Sequence, residues 1–131
     1  MFNSPGSTCK ACHRIDGRGG MIGPDLSVIA RSTPRAQIIR SIVSPSAEIA
    51  PQFQGWEVKT RDGAMFAGLQ GHWRTAGGAT LILHDGTERK WEADAVVSLR
   101  PMEESLMPAG LVNLFSIEEL RDLVAYLESR R

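Results

Sequence analysis

Two cysteines and a histidine fall within five residues near the start of the chain, as Cys9-Lys10-Ala11-Cys12-His13. Thiols three apart with an imidazole directly after them can serve a redox disulfide, half of a zinc site or the attachment point of a c-type haem. A structural zinc site takes four ligands, usually from a second Cys or His pair at matching spacing. The other histidines, His72 and His84, stand twelve apart in a stretch that reads as β-structure, so zinc fits poorly. A thioredoxin-like motif follows a strand and opens a helix, and nothing ahead of Cys9 is long enough to be that strand. The haem reading uses the whole pentapeptide. Positions three apart share a face of a helical turn, so both thiols reach the two vinyl groups of one porphyrin, and His13 is carried beneath the iron as proximal ligand. The bland alternative is a coincidental pair beside a surface histidine.

A histidine on a metal ordinarily donates its other ring N–H to a carbonyl or carboxylate. Gly23-Pro24-Asp25-Leu26 begins ten residues after His13, in a loop where Gly17, Gly19, Gly20 and Gly23 fall within seven residues. Proline has a fixed φ and no N–H, so it presents its carbonyl rigidly. The Pro24 carbonyl is the expected partner of the His13 ring, against the plain reading of a Gly-Pro turn. Five methionines compete for the distal position: Met1, Met21, Met65, Met102 and Met107. Methionine more often fills core gaps than binds metal, so each needs an argument. Met1 is terminal, Met21 is too near His13 in sequence to reach the opposite face, and Met65 lies in an alternating stretch that reads as strand core. Met107 sits in Glu104-Ser105-Leu106-Met107-Pro108-Ala109-Gly110, a proline-pinned loop ahead of a strong helix, and is the expected distal ligand, with Met102 as runner-up.

The elements that must position these groups are of two kinds. A C-terminal helix is signalled by the capping-box pair Ser116 and Glu119 and by Ile117, Leu120, Leu123, Val124 and Leu127 at helical spacing. A second helix is expected to start at Thr33-Pro34, with Thr33 as cap and proline at the first helical position. It carries Ile38, Ile39, Ile42 and Val43 on one side and stops before Ser44-Pro45. From about Phe53 to Leu99 the pattern becomes β. Trp56, Val58 and Thr60 alternate with polar residues, Arg61-Asp62-Gly63 turns, Met65–Leu69 resumes, and Asp85-Gly86 marks a hairpin between Thr80–Leu83 and Arg89–Glu92. Ala95–Leu99 is a last short strand, completing a small antiparallel sheet or partial barrel. Its His72, Trp73, His84 and Trp91 read as a half-buried sheet with surface imidazoles rather than an aromatic-rimmed ligand site or a source of an alternative iron ligand.

Composition sets outer limits. The chain has 131 residues, with 15 basic and 15 acidic side chains, 42% hydrophobic and 23% charged residues. That is one ordinary globular domain. Balanced charge lacks the basic patch expected of a nucleic-acid binder. No apolar run approaches the roughly 18 residues of a membrane span. The opening Met1-Phe2-Asn3-Ser4-Pro5-Gly6 carries neither a basic nor an apolar leader pattern, so no signal peptide is read here. No nucleophile–base constellation, phosphate loop or paired-carboxylate signature stands out, and the chain is expected not to be an enzyme.

Taken together, the Cys9–His13 pentapeptide, Gly23-Pro24-Asp25-Leu26, Met107-Pro108 and Glu118–Leu127 resemble a class I cytochrome c. With Ser44–Pro51 and the Asp62-Gly63 turn, the chain is similar more narrowly to the Pirellula/Verrucomicrobium-type haem-binding domain, over nearly its whole length. The resemblance implies one covalent haem c through Cys9 and Cys12, His13 and Met107 as axial ligands, and one-electron transfer. It implies an α+β protein: a helical class I cytochrome c fold with a small antiparallel β-sheet inserted between the second helix and the Met-ligand loop. The expected domain is single over 1–131, with a helical haem core of about 1–52 and 101–131 and a β-insertion of about 53–100. Such cytochromes usually have a longer first helix with an aromatic packed on the C-terminal helix. Eight residues precede Cys9 here, Pro5-Gly6 interrupts them, and Phe2 is the aromatic available to meet Tyr126.

That short start suggests a domain cut from a larger protein. Domains of this type often close secreted proteins with dehydrogenase-like propeller modules, so the expected partner is a redox protein or a fused dehydrogenase domain. Covalent attachment implies maturation outside the cytoplasm, in the periplasm or otherwise after export. Two other readings remain: a haem sensor or peroxidase-like domain with an open distal site, and a non-redox module whose β-region presents Trp56, Trp73 and Trp91 to a partner.

Overall fold

Local signals for helix are strong in this chain, yet they produce only short helices. The computed structural model describes Phe2 and residues 8–72 and 76–131; Met1, Pro5-Gly6 and Trp73 lie outside the described residues. The helices are α1 (Thr8–Cys12), α2 (Arg35–Val43) and α3 (Ile117–Glu128). The strands are β1 (Arg14–Ile15), β2 (Arg18–Gly19), β3 (Gly55–Thr60), β4 (Met65–Gln70), β5 (Ala79–Ile82), β6 (Glu88–Trp91) and β7 (Val96–Pro101).

These elements overturn the expected fold class. A helical class I cytochrome c fold with a small inserted sheet is not what forms. Among the described residues the protein is mostly β, a five-stranded antiparallel sheet plus a two-stranded ribbon, with three short helices. The physical reason lies in the range of the signals. An apolar stripe at helical spacing is visible within a dozen residues, whereas β3 finds its partner β7 some forty residues later, where alternation alone gives no register. The first helix is also limited to five residues, because the chain turns at once into the ribbon β1–β2. Asp16-Gly17 makes that reversal with φ of 50° and 76°, the left-handed pair that suits a two-residue hairpin.

The chain divides into two compact units, one of Met1–Ile49 with Met107–Arg131, the other of Ala50–Leu106. In the first, Ile15, Ile38, Ile42, Leu123, Val124 and Leu127 bury together with Phe2. Burying each such aliphatic side chain stabilises by about 1.5–3 kcal/mol. The Phe2 and Tyr126 rings lie 6.3 Å apart, so an aromatic does pack on the last helix. Both halves of the capping box open α3: the Glu119 N–H donates to Ser116 Oγ and the Ser116 N–H to Glu119 Oε2. Ile117, by contrast, is 86% exposed, since the first turn of α3 stands clear of the core. The second helix starts one residue later than expected. Pro34, at ψ 156°, is still extended and occupies the cap position, and no side chain caps α2. Val43 at its end is exposed while Ile38 and Ile42 face inward.

In the second unit the strands run in the order β6-β5-β4-β3-β7, a four-strand meander from β3 to β6 with a fifth strand, β7, returning to pair with β3. Val58, Ala79, Leu81 and Trp91 form its core, with Trp56, Phe66 and Leu99 packed on them. Phe66 and Trp91 stack at 4.9 Å, covered by the Arg89 guanidinium. Trp91 is thus core rather than an exposed patch, and Trp56 is half-buried against it. Met65, expected inside, is 55% exposed because its register in β4 places it on the outer face. His72 and His84 are both exposed. Among the described residues no helix is long and apolar enough to cross a membrane.

Candidate functional site

The five residues of α1 make a single turn, closed where the His13 N–H donates to the Cys9 carbonyl at 2.8 Å. That turn sets Cys9 and Cys12 on one side, both half-buried and with no disulfide between them. The loop that follows is laid directly along the helix backbone. Gly20 N–H donates to the Lys10 carbonyl at 2.9 Å and Gly23 N–H to the Cys12 carbonyl at 2.8 Å. The approach is close enough that only glycine serves. A β-carbon on Gly20 would lie 1.9 Å from the Ala11 carbonyl oxygen, and one on Gly23 would lie 2.8 Å from His13 Cε1. The glycine cluster visible in the sequence is therefore the means by which the loop reaches the imidazole.

At the end of this loop His13 Nδ1 lies 2.8 Å from the Pro24 carbonyl. A carbonyl only accepts, so Nδ1 carries the proton and Nε2 is the nitrogen left with a lone pair. Burial pushes His13 below the ordinary imidazole value, against the opposing pull of its bond to Pro24. The ring at neutral pH is consequently neutral and single in tautomer, the state a metal ligand needs. Cys12 is pushed above the ordinary thiol value, first by burial and then by the neighbouring Cys9.

Residues that sequence patterning passed over tie the loop down. The Asp16 N–H donates to Ser27 Oγ at 2.8 Å, and the Ser27 N–H donates to Asp25 Oδ1 at 2.8 Å. Those Ser27 bonds, side chain first, hold the Asp25 carboxyl below the usual carboxylate range. Arg130, just past α3, pairs with Asp16, while its carbonyl accepts from the Ala30 N–H at 2.9 Å. No local pattern marks the Arg130–Asp16 pair, since over a hundred residues separate the two.

The methionines separate by environment. Met21 is 66% exposed and Met65 55% exposed. Met102 belongs to the second unit, where its sulfur lies against Gly55. Met107 packs on the buried cluster of the first unit, the same cluster that Cys9 contacts. Met1 lies outside the described residues. Among the described residues no three His, Cys, Asp or Glu side chains gather into a metal-holding group. No protein-family model matches the chain, and no curated protein matches it.

Proposed function

We propose that the chain is a one-electron carrier with a single haem c held through Cys9 and Cys12, with His13 and Met107 as axial ligands. The observation that carries the reading is the His13 imidazole: directly after a Cys-x-x-Cys turn, it is neutral, pinned through Nδ1 to Pro24 and left with a bare Nε2. Motif order supports the same reading, since it resembles the Pirellula/Verrucomicrobium-type haem-binding domain. Haem c, when bound, supplies the ferric–ferrous couple.

The chain's own residues then have separate tasks. Cys9 and Cys12 anchor the porphyrin by thioethers, which removes both thiols from any other chemistry. Pro24 orients His13 and raises its basicity as a ligand. Met107 offers a thioether sulfur from the loop ahead of α3, a donor that raises the potential relative to stronger bases. The apolar cluster around Phe2, Ile15 and Leu123 keeps water from this neighbourhood. With no net charge, docking to a redox partner or a fused dehydrogenase domain rests on local complementarity or on tethering, and covalent attachment places maturation after export.

Expression in the periplasm of a host with haem c maturation tests the proposal. The expected result is a sharp reduced α-band whose colour stays with the protein through acid-acetone extraction. Colour that extracts completely, or its absence, overturns it. Met107→Ala is expected to lose the near-infrared sulfur–iron band of the oxidised protein. A variant that keeps the wild-type spectrum transfers support to the sensor or peroxidase-like reading with an open distal site.

A further inference from the structure

We propose that Gly23 is the positioning residue that sets the plane of the His13 imidazole as Nε2 is presented to iron. The proposal rests on the haem c reading above. Its basis is steric. A β-carbon on Gly23 would stand 2.8 Å from Cε1, 2.9 Å from Nδ1 and 3.2 Å from Nε2 of His13. Contact in the ring plane beyond Cε1 would leave both nitrogens far outside the Cε1 distance. Near-equal distances to three atoms of one ring put that β-carbon over the ring face instead. The Gly23 backbone lies against one face of the imidazole, closer than any residue with a side chain permits.

Neither partner can retreat freely. The Gly23 N–H is bonded to the Cys12 carbonyl at 2.8 Å, and His13 Nδ1–H is bonded to the Pro24 carbonyl at 2.8 Å. With the loop backbone and one corner of the ring both held, the motion left is a tilt of the imidazole about its Nδ1 corner. Gly23 also lies outside the left-handed φ region, so alanine is allowed by the backbone and its effect falls on the ring. Gly19 and Gly20 differ in this respect, because they press on backbone carbonyls of His13 and Ala11 rather than on the imidazole.

Partners that orient a metal-bound histidine also set its basicity. A methyl group at position 23 tilts the ring and lengthens the Nδ1–H bond to Pro24. A less basic imidazole stabilises ferric iron less, so the reduction potential moves up.

The test compares the haem-loaded full chain with its Gly23→Ala variant. Gly23→Ala is expected to keep its haem through acid-acetone extraction, to change the order and spread of the haem-methyl shifts in the oxidised proton NMR spectrum, and to titrate at a higher potential. A loaded variant with the wild-type methyl pattern and potential overturns the proposal. The unsubstituted protein provides a second measurement that does not depend on how the variant folds. In the reduced, diamagnetic state a nuclear Overhauser contact between Gly23 Hα and His13 Hε1 is expected, and its absence overturns the proposal. Failure of the wild-type chain to take up haem overturns this proposal and the haem reading together, whereas attached haem with an unchanged pattern overturns this one alone.

Discussion

Gly20 shows how a single missing side chain decides the local path of the chain. Its backbone is bonded to Lys10, and a β-carbon there would meet the Ala11 carbonyl oxygen at 1.9 Å. Backbone cannot swing aside as a side-chain tip does, so Gly20→Ala should destabilise the chain by about 2–3 kcal/mol, read as a lower urea midpoint. The opposite expectation holds for Ile117, which is 86% exposed. Ile117→Ser should leave the unfolding free energy within about 0.5 kcal/mol of wild type, as surface changes ordinarily do, with the urea midpoint nearly unmoved. Met107 differs again, since the role proposed for it is electronic as well as steric. Met107→Ala in the haem-loaded chain should lower the reduction potential, because the thioether that favours ferrous iron is removed.

At the scale of elements, turns and caps hold what propensity leaves marginal. Ser116 and Glu119 exchange two hydrogen bonds at the start of α3. Ser116→Ala should cost about 1 kcal/mol and fray the first turn, detected as faster amide exchange at Glu118 and Glu119. The tight turns use carboxylates in the same way. Thr60, then the Ala64 N–H, hold Asp62 below the usual carboxylate range, and Thr87 does so for Asp85 through its side chain and then its N–H. A carboxyl whose folded value lies below its unfolded value of 3.8 contributes stability that is fully present above 3.8. That contribution is lost as pH falls through the folded value. Stability should therefore decline with acid below about pH 3.8, and Asp62→Asn should flatten the decline. Urea midpoints measured across that range decide it, and a variant curve parallel to wild type contradicts it.

For the whole molecule, the two buried clusters share no residue: one gathers Ile38, Ile42, Leu123, Val124 and Leu127 with Phe2, the other Val58, Ala79, Leu81 and Trp91. Large-to-small changes act where the cavity opens. Leu81→Ala should cost about 2–5 kcal/mol, with hydrogen-exchange protection falling first in β3–β7 and the slow amides of α2 and α3 less affected. Equal loss of protection in both units would show that they unfold as one. This division also separates the methionines, placing Met107 in the unit that contains His13 and Met102 in the other.

Short-range features of this protein are legible in its sequence. The spacing of Cys9 and Cys12 with His13, the cap of α3, the Asp85-Gly86 hairpin and the approach of Pro24 to His13 all act over about a dozen residues, where chemistry and chain geometry leave few choices. The balance of the architecture is not local. The resemblance to a class I cytochrome c implies a helical core with a small inserted sheet, but the strands, whose pairing energy is gained only once distant segments meet, make the described residues mostly β. Equally invisible in advance were the Arg130–Asp16 pair, the exposure of Met65 and Ile117, and the placing of Gly23 on the face of the imidazole. Each depends on which surfaces the packed chain brings within a few ångströms, and only the tertiary structure decides that.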